Sequence, residues 1–141
     1  MHELNHLRRN GAYSLIVACW LIVAGFAASW IYLGGSLLPL GSAVLISIMP
    51  TLLALQDKGQ GKSRIVLGAT LPLYPALLLW QWSGQPWMLD FHMVFFATIA
   101  MVTVLADWRA IVISAGVTAV HHLLTNFAAP SIVFPDGADL P

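Results

Sequence analysis

The chain has 141 residues, of which 59% are hydrophobic and only 9% are charged, and its formal net charge is zero. Soluble domains carry about 25% charged residues, so this composition excludes an ordinary soluble domain and indicates an integral membrane protein. The single cysteine, Cys19, excludes a framework of disulfide bonds.

Five apolar runs are long enough to cross a bilayer, since about 20 helical residues span the hydrocarbon. Backbone polar groups in lipid must be satisfied within their own segment, so each run is predicted to be a helix. Pro72 and Pro75 are expected to kink the third run. The predicted fold is all-α: a polytopic transmembrane helix bundle forming one domain over residues 1–141. In chain order the runs cover about residues 12–33, 37–55, 65–82, 87–106 and 110–127, and a tail over 128–141 follows.

The basic residues all lie on one side of this predicted topology. They occur only in the amino-terminal tail, in the connection between the second and third runs, and in the connection between the fourth and fifth runs. By the positive-inside rule that side is cytoplasmic, which puts the amino terminus in the cytoplasm and the tail 128–141 outside. The basic residues are Arg8, Arg9, Lys58, Lys62, Arg64 and Arg109.

Three histidines from two neighbouring runs are predicted to lie at one depth. His92 is five residues inside the fourth run, and His121 and His122 are six and five residues before the end of the fifth. Each should therefore lie about 8–9 Å below the outer interface. The short turn 107–109 makes these two runs antiparallel neighbours. An ionisable residue at this depth indicates a functional site, and neutral imidazole is the commonest metal ligand.

Other polar groups near the histidines offer alternative kinds of site. Asp90 or Met93 would complete a zinc site, or a copper site if the thioether takes part. Asn126 follows His122 by four residues on the same helix face and is placed to orient a ring nitrogen. Two histidines on opposite sides would instead suit the axial ligation of haem b. The plainer alternatives are hydrogen bonds between helices and capping of the fourth helix by Asp90.

Two finer expectations concern the directions of side chains. Adjacent residues of a helix differ in direction by about 100°, so one of His121 and His122 should face the fourth span and the other a different helix. Asp107 and Arg109 flank the inner turn, and they are predicted to form a structural ion pair at the interface.

Several short motifs in the second half of the chain carry a family resemblance. Together they resemble the amino-terminal membrane region of certain bacterial methyl-accepting chemotaxis proteins and of related histidine kinases and diguanylate cyclases. The resemblance implies a multi-span sensor module ahead of a cytoplasmic signalling domain. The motifs are LDFHMVFFA (89–97), LADWR (105–109), HHLLTNFAAP (121–130) and VFP (133–135), in that order.

The resemblance also bears on the site and on the extent of the chain. It matches His92, His121 and His122 to the characteristic histidines of the family, and it implies the bacterial inner membrane, with the tail in the periplasm. The family continues after VFP into a further helix and an output domain, whereas this sequence ends at Pro141. A sixth span is therefore expected to be missing or supplied elsewhere. The chain is then a fragment, or it passes its state to a partner.

The predicted function is a membrane-embedded sensory module of the chemoreceptor type, not an enzyme. Its histidine cluster would bind a metal ion, haem or another small ligand near the outer face. The alternative is a haem-anchoring or electron-transfer subunit of a larger complex. The expected partners are the lipid bilayer and either a second copy or a cytoplasmic signalling protein. Nucleic-acid binding is not expected, since the basic patches are short and few.

Overall fold

A computed structural model describes residues 2–57 and 61–129 of the chain. The predictions made for Lys58, for the VFP motif and for the rest of the tail from residue 130 onward lie outside the described residues. All regular structure in the described ranges is helical. The helices are α1 (His2–Leu33), α2 (Leu38–Asp57), α3 (Gly61–Thr70), α4 (Leu73–Gln81), α5 (Met88–Phe91), α6 (Val94–Val102), a 3₁₀ turn (Thr103–Leu105) and α7 (Trp108–Ala128).

Five of the resulting helical segments are long and apolar enough to cross a membrane, which confirms the predicted all-α bundle. The third span is α3 with α4, and the fourth is α5 with α6 and the 3₁₀ turn. Helix α1 begins at His2, earlier than the predicted start near residue 12, and has 32 residues. A helix of that length extends about 48 Å, so its polar first turns reach past a hydrocarbon layer of about 30 Å.

The third span is broken at Pro72, as predicted. Helix α3 ends at Thr70 and α4 begins at Leu73, because proline has no N–H to continue the hydrogen-bond ladder. Pro75 lies in the first turn of α4, where a backbone N–H would have no partner within the helix in any case. Because Pro75 likewise cannot donate to the carbonyl of Leu71, both prolines remove a hydrogen bond at the break.

The fourth span is interrupted at His92, which was not predicted. The N–H of His92 donates to the carbonyl of Leu89 at 3.2 Å, and the N–H of Phe95 donates to the carbonyl of His92 at 3.2 Å. These bonds join residues three apart, as in a 3₁₀ helix, and such a stretch within a helix often marks a hinge or local strain. His92 thus lies at the junction of α5 and α6, in a part of the backbone that is not regular α-helix.

A buried pair of hydroxyl groups links two helices in the core. The Tyr74 and Ser47 hydroxyls lie 2.8 Å apart, and Ser47 donates to the carbonyl of Ala43 at 2.6 Å. The Ser47 proton is therefore used within α2, and Tyr74 donates its own proton to Ser47. Both hydroxyls are satisfied away from water, as buried polar groups must be.

Replacing Tyr74 by phenylalanine is expected to lower the free energy of unfolding by about 1 kcal/mol. Phenylalanine keeps the ring in the core and removes the hydroxyl that hydrogen-bonds with Ser47 and with the Cys19 thiol. The measurement is an unfolding titration with sodium dodecyl sulfate in mixed micelles. Tyr32→Phe is the matched control, because Tyr32 is 81% exposed and should be insensitive to the change. Equal losses in the two variants would contradict the role given to the buried hydroxyl.

Two glycines allow close contacts between helices. A Cβ atom at Gly68 of α3 would lie 2.5 Å from the carbonyl oxygen of Ala110 and 2.8 Å from its Cα. A Cβ atom at Gly11 of α1 would lie 2.5 Å from the carbonyl oxygen of Val104. Small residues at such contacts are typical of membrane helix packing. They place α7 against α3, and the 3₁₀ turn against α1.

A hydrogen-bonded arginine holds the turn that precedes α7. Arg8 of α1 donates from Nε and Nη2 to the carbonyl of Ala106, at 3.1 and 2.9 Å. Ala106 itself is left-handed, with φ 48° and ψ 40°, a conformation that costs a residue with a Cβ about 1–2 kcal/mol. The first helix thus fixes the backbone from which the last helix starts.

The ion pair predicted between Asp107 and Arg109 is replaced by a different one. Asp107 pairs with Arg64 of α3, with Nε and Oδ2 3.0 Å apart. The other oxygen of Asp107 accepts the backbone N–H of Arg109 at 3.1 Å and so caps α7. A capping carboxylate accepts hydrogen bonds from backbone N–H groups in the first turn of its own helix. Asp107 therefore binds Arg109 through the backbone N–H of that residue. The Arg109 guanidinium lies 5.8 Å from the centre of the Trp108 ring.

Candidate functional site

The three predicted histidines meet at the end of the bundle opposite the basic residues. The ring centres of His92 and His122 are 6.1 Å apart, and those of His121 and His122 are 5.4 Å apart. His92 follows the start of the fourth span by four residues, and His122 precedes the end of α7 by six. These positions correspond to about 6 and 9 Å of helix. Two neighbouring spans therefore bring their imidazoles to one level.

The buried ring of Phe95 in α6 supports the histidine cluster. Its centre is 5.2 Å from the His121 ring, which stacks on it, and 4.8 Å from the His122 ring, which is tilted. Both histidines of α7 therefore contact the fourth span. The expectation that one of them would face a different helix is wrong, because the aromatic ring is broad enough to meet two adjacent side chains.

Backbone carbonyls orient two of the three rings. Nδ1 of His122 is 2.8 Å from the carbonyl oxygen of Thr118, and Nδ1 of His92 is 3.3 Å from that of Met88. A carbonyl oxygen only accepts hydrogen bonds, so Nδ1 carries the proton in both rings and Nε2 carries the lone pair. Histidines that bind metals are commonly oriented in this way.

The third ring, that of His121, has a buried nitrogen without a hydrogen-bond partner among the described residues. Nε2 of His121 is shielded from solvent and makes no hydrogen bond to any residue in the described ranges. Leaving a buried polar atom unsatisfied costs about 1–3 kcal/mol. A bound ligand or a change in helix packing would remove that cost.

The other predicted site residues do not join the cluster. Asp90, Met93 and Asn126 are exposed, and Met93 is 68% accessible. No hydrogen bond between described residues links any of the three to a histidine ring. Asp90 does not cap the fourth span either, since the N-cap of α5 is Trp87. The three imidazoles thus converge, whereas the predicted supporting groups make no hydrogen bond to them within the described ranges.

The supporting groups that the sequence analysis missed are Phe95 and two main-chain carbonyls. Phe95 follows His92 by three residues within LDFHMVFFA, a spacing that puts two side chains on one helix face. That spacing is the only local signal for its role. The carbonyls of Met88 and Thr118 could not be identified from the sequence, because every residue has a backbone carbonyl.

The distances between the rings suit a shared metal ion, but the orientations of the rings do not. Two imidazoles bound to one ion have ring centres about 5–6.5 Å apart, given a metal–nitrogen distance of about 2 Å. The observed separations of 5.4 and 6.1 Å fall in that range. In the described part of the chain, however, no three His, Cys, Asp or Glu side chains converge closely enough to hold an ion as they stand. Ligation therefore requires rotation of the rings.

Haem b fits the arrangement less well than a single ion. His92 and His122 would be the residues to hold the iron, but the ring of Phe95, whose centre is 4.8 Å from that of His122, occupies space that haem would need beside them. Phe95 is only 2% exposed and forms part of the core. The residues present therefore do not accommodate haem as they are packed.

No family model, curated protein or solved structure matches this chain.

Proposed function

We propose that the chain is a membrane-embedded sensory module that binds a small ligand through His92, His121 and His122. The observation that carries the proposal is the convergence of three imidazoles from two spans, with ring centres 5.4 and 6.1 Å apart. A zinc or copper ion is the ligand that best matches this set of nitrogen donors. The resemblance to chemotaxis sensor regions supports a role in signal transduction.

Binding would act on the packing of the fourth and fifth spans. The ligand joins His92, at the break between α5 and α6, to the last turns of α7. A ligand shifts a conformational equilibrium only if it binds one packing more tightly than the other. The unsatisfied Nε2 of His121 and the irregular backbone at His92 both favour such a difference. Both features raise the free energy of the ligand-free state, and ligation would remove that cost.

Helix α7 would carry the change toward the basic end of the bundle. It runs without interruption from Trp108 to Ala128, so a displacement at the histidines is transmitted along a rigid element. By the positive-inside rule the basic end lies in the cytoplasm, and the histidines lie near the periplasmic face of the bacterial inner membrane. A second copy or a cytoplasmic signalling protein would then read the position of α7.

The purified protein in detergent is expected to retain zinc after loading and dialysis. Replacing His92 or His121 by alanine should weaken zinc binding by more than the roughly 10–100-fold that losing an orienting partner costs, because each change removes a donor atom. Elemental analysis and competition with a chromophoric chelator measure the occupancy and the affinity. Copper(I) is tested in the same way.

The control is His6→Ala. His6 is exposed in the first turns of α1, where its Nδ1 lies 3.2 Å from the side-chain amide of Asn10. This change removes one imidazole from the opposite end of the bundle and should leave metal binding unaltered. If the wild-type protein retains no more metal than a variant lacking all three clustered histidines, the proposal fails. A haem absorption band together with co-purifying redox subunits would favour the electron-transfer alternative.

A further inference from the structure

A cleft of about 540 Å³ lies at the basic end of the bundle, far from the histidines. It is bounded by α2, α3 and the start of α7. Met49 and Leu53 of α2 and Ile65 of α3 form its apolar wall. Met49 precedes the end of α2 by eight residues, so the wall extends about 12 Å below the helix end. In a helix that crosses a bilayer, residues at this depth face the hydrocarbon layer.

The mouth of the cleft is positively charged. Lys62, Arg64 and Arg109 contribute three positive charges and Asp107 one negative charge, a net charge of +2. Arg64 and Asp107 are paired with each other. Lys62 and Arg109 are exposed, and neither forms an ion pair with a described residue. An ammonium and a guanidinium group thus flank the opening.

We infer that this cleft binds an acidic phospholipid, with its phosphate between Lys62 and Arg109 and one acyl chain along Met49, Leu53 and Ile65. Lysine and arginine are the usual partners of phosphate, and basic pockets between membrane helices bind anionic headgroups. The volume of the cleft is within the range of small-molecule sites. The inference is independent of the histidine site.

The composition of the walls distinguishes a lipid from a soluble phosphate compound. A phosphate ion or sugar phosphate would meet the cations and leave the apolar wall uncovered. A phospholipid satisfies both parts, because its charge and its hydrocarbon are separated as they are in the cleft. Trp108 beside the mouth is 68% exposed, and tryptophan at the membrane interface commonly anchors a helix at headgroup level.

The test is a binding titration of the full chain in detergent micelles, followed by native mass spectrometry. The probes are phosphatidylglycerol, the zwitterionic phosphatidylcholine and glycerol 3-phosphate. Phosphatidylglycerol should bind most tightly. Lys62→Gln and Arg109→Gln should each weaken its binding about fivefold, and the double variant about 25-fold. Arg9→Gln is the matched control, because Arg9 is exposed at the same end but does not line the cleft.

Three outcomes would overturn the inference. If Arg9→Gln lost as much affinity for phosphatidylglycerol as Lys62→Gln, diffuse surface charge would be what attracts the lipid. Equal binding of phosphatidylcholine would mean that the headgroup charge is not recognised, and equal binding of glycerol 3-phosphate would identify a site for phosphate alone. Circular dichroism of each variant checks that its helices are intact. Met49→Gln should weaken the binding of phosphatidylglycerol and leave the binding of glycerol 3-phosphate unchanged.

Discussion

Replacing Gly68 by leucine is expected to lower the free energy of unfolding by about 3 kcal/mol. The first added carbon would lie 2.5 Å from the carbonyl oxygen of Ala110. That atom and the neighbouring Cα belong to the backbone of α7, so no side-chain rotation relieves the overlap. The two helices must separate, which opens the contact between the third and fifth spans. Unfolding with sodium dodecyl sulfate in mixed micelles measures the loss.

The matched control for this prediction is Gly116→Leu. Gly116 lies on α7 itself, and a Cβ atom there would meet nothing within 4 Å. Leucine is a better helix former than glycine by up to about 1 kcal/mol, so this variant should be as stable as the wild type or more so. The close approach would be disproved if both variants unfolded at the same detergent fraction.

Replacing Asp107 by alanine is expected to lower the free energy of unfolding by about 3 kcal/mol in total, including the lost cap. The carboxylate pairs with Arg64 at 3.0 Å, and both side chains are only 12% exposed. Removing one partner of a shielded pair leaves a costly unpaired charge, and losing the N-cap of α7 adds about 1 kcal/mol. Arg64→Ala should cause a similar loss. A double-mutant cycle between Arg64 and Asp107 measures the coupling.

Arg109→Ala separates the observed pair from the one predicted from the sequence. Alanine keeps the backbone N–H that binds the Asp107 carboxylate, so the cap survives and the loss should stay below about 1 kcal/mol. If Arg109→Ala proved as damaging as Arg64→Ala, the side chain of Arg109 would have to be the partner of Asp107.

The same carboxylate should make stability depend on pH. Burial tends to raise the pKa of Asp107, but the hydrogen bonds from Arg64 and from the N–H of Arg109, with the charges of Arg64 and Arg8, outweigh burial and lower that pKa. A carboxyl group with a lowered pKa contributes its stability above its unfolded pKa of about 4. This contribution is lost as the pH falls from there through the lowered folded pKa. Asp107→Asn should lack this part of the acid dependence.

The histidine site and the basic end together suggest how the bundle would work as a sensor. His121 and His122 lie in the last turns of α7, and Asp107 caps its first turn. The proposed ligand and the Arg64–Asp107 pair therefore act on opposite ends of one helix. Zinc affinity in Asp107→Ala, compared with that of the wild type, would show whether the two ends are energetically coupled.

The candidate site was only partly predictable from the sequence. His92, His121 and His122 could be placed at one depth by counting residues along helices joined by a short turn. The role of Phe95 and the orientation of the rings by carbonyls required coordinates, because they depend on how far each helix is rotated about its own axis. The interruption at His92 could not be predicted from the sequence, because the fourth span contains no proline.

By itself the sequence determined the fold class, the five spans and the end at which the basic residues collect. Hydropathy and helix length are properties of short segments, and in a bilayer they leave a segment only one way to satisfy its backbone. Only the tertiary structure decided which residues pair with one another through hydrogen bonds and ion pairs. Arg8 contacts Ala106 across 98 positions, and Arg64 rather than the nearby Arg109 pairs with Asp107 across 43. Such choices depend on how the helices are spaced and rotated within the bundle, and no short segment of sequence specifies that arrangement.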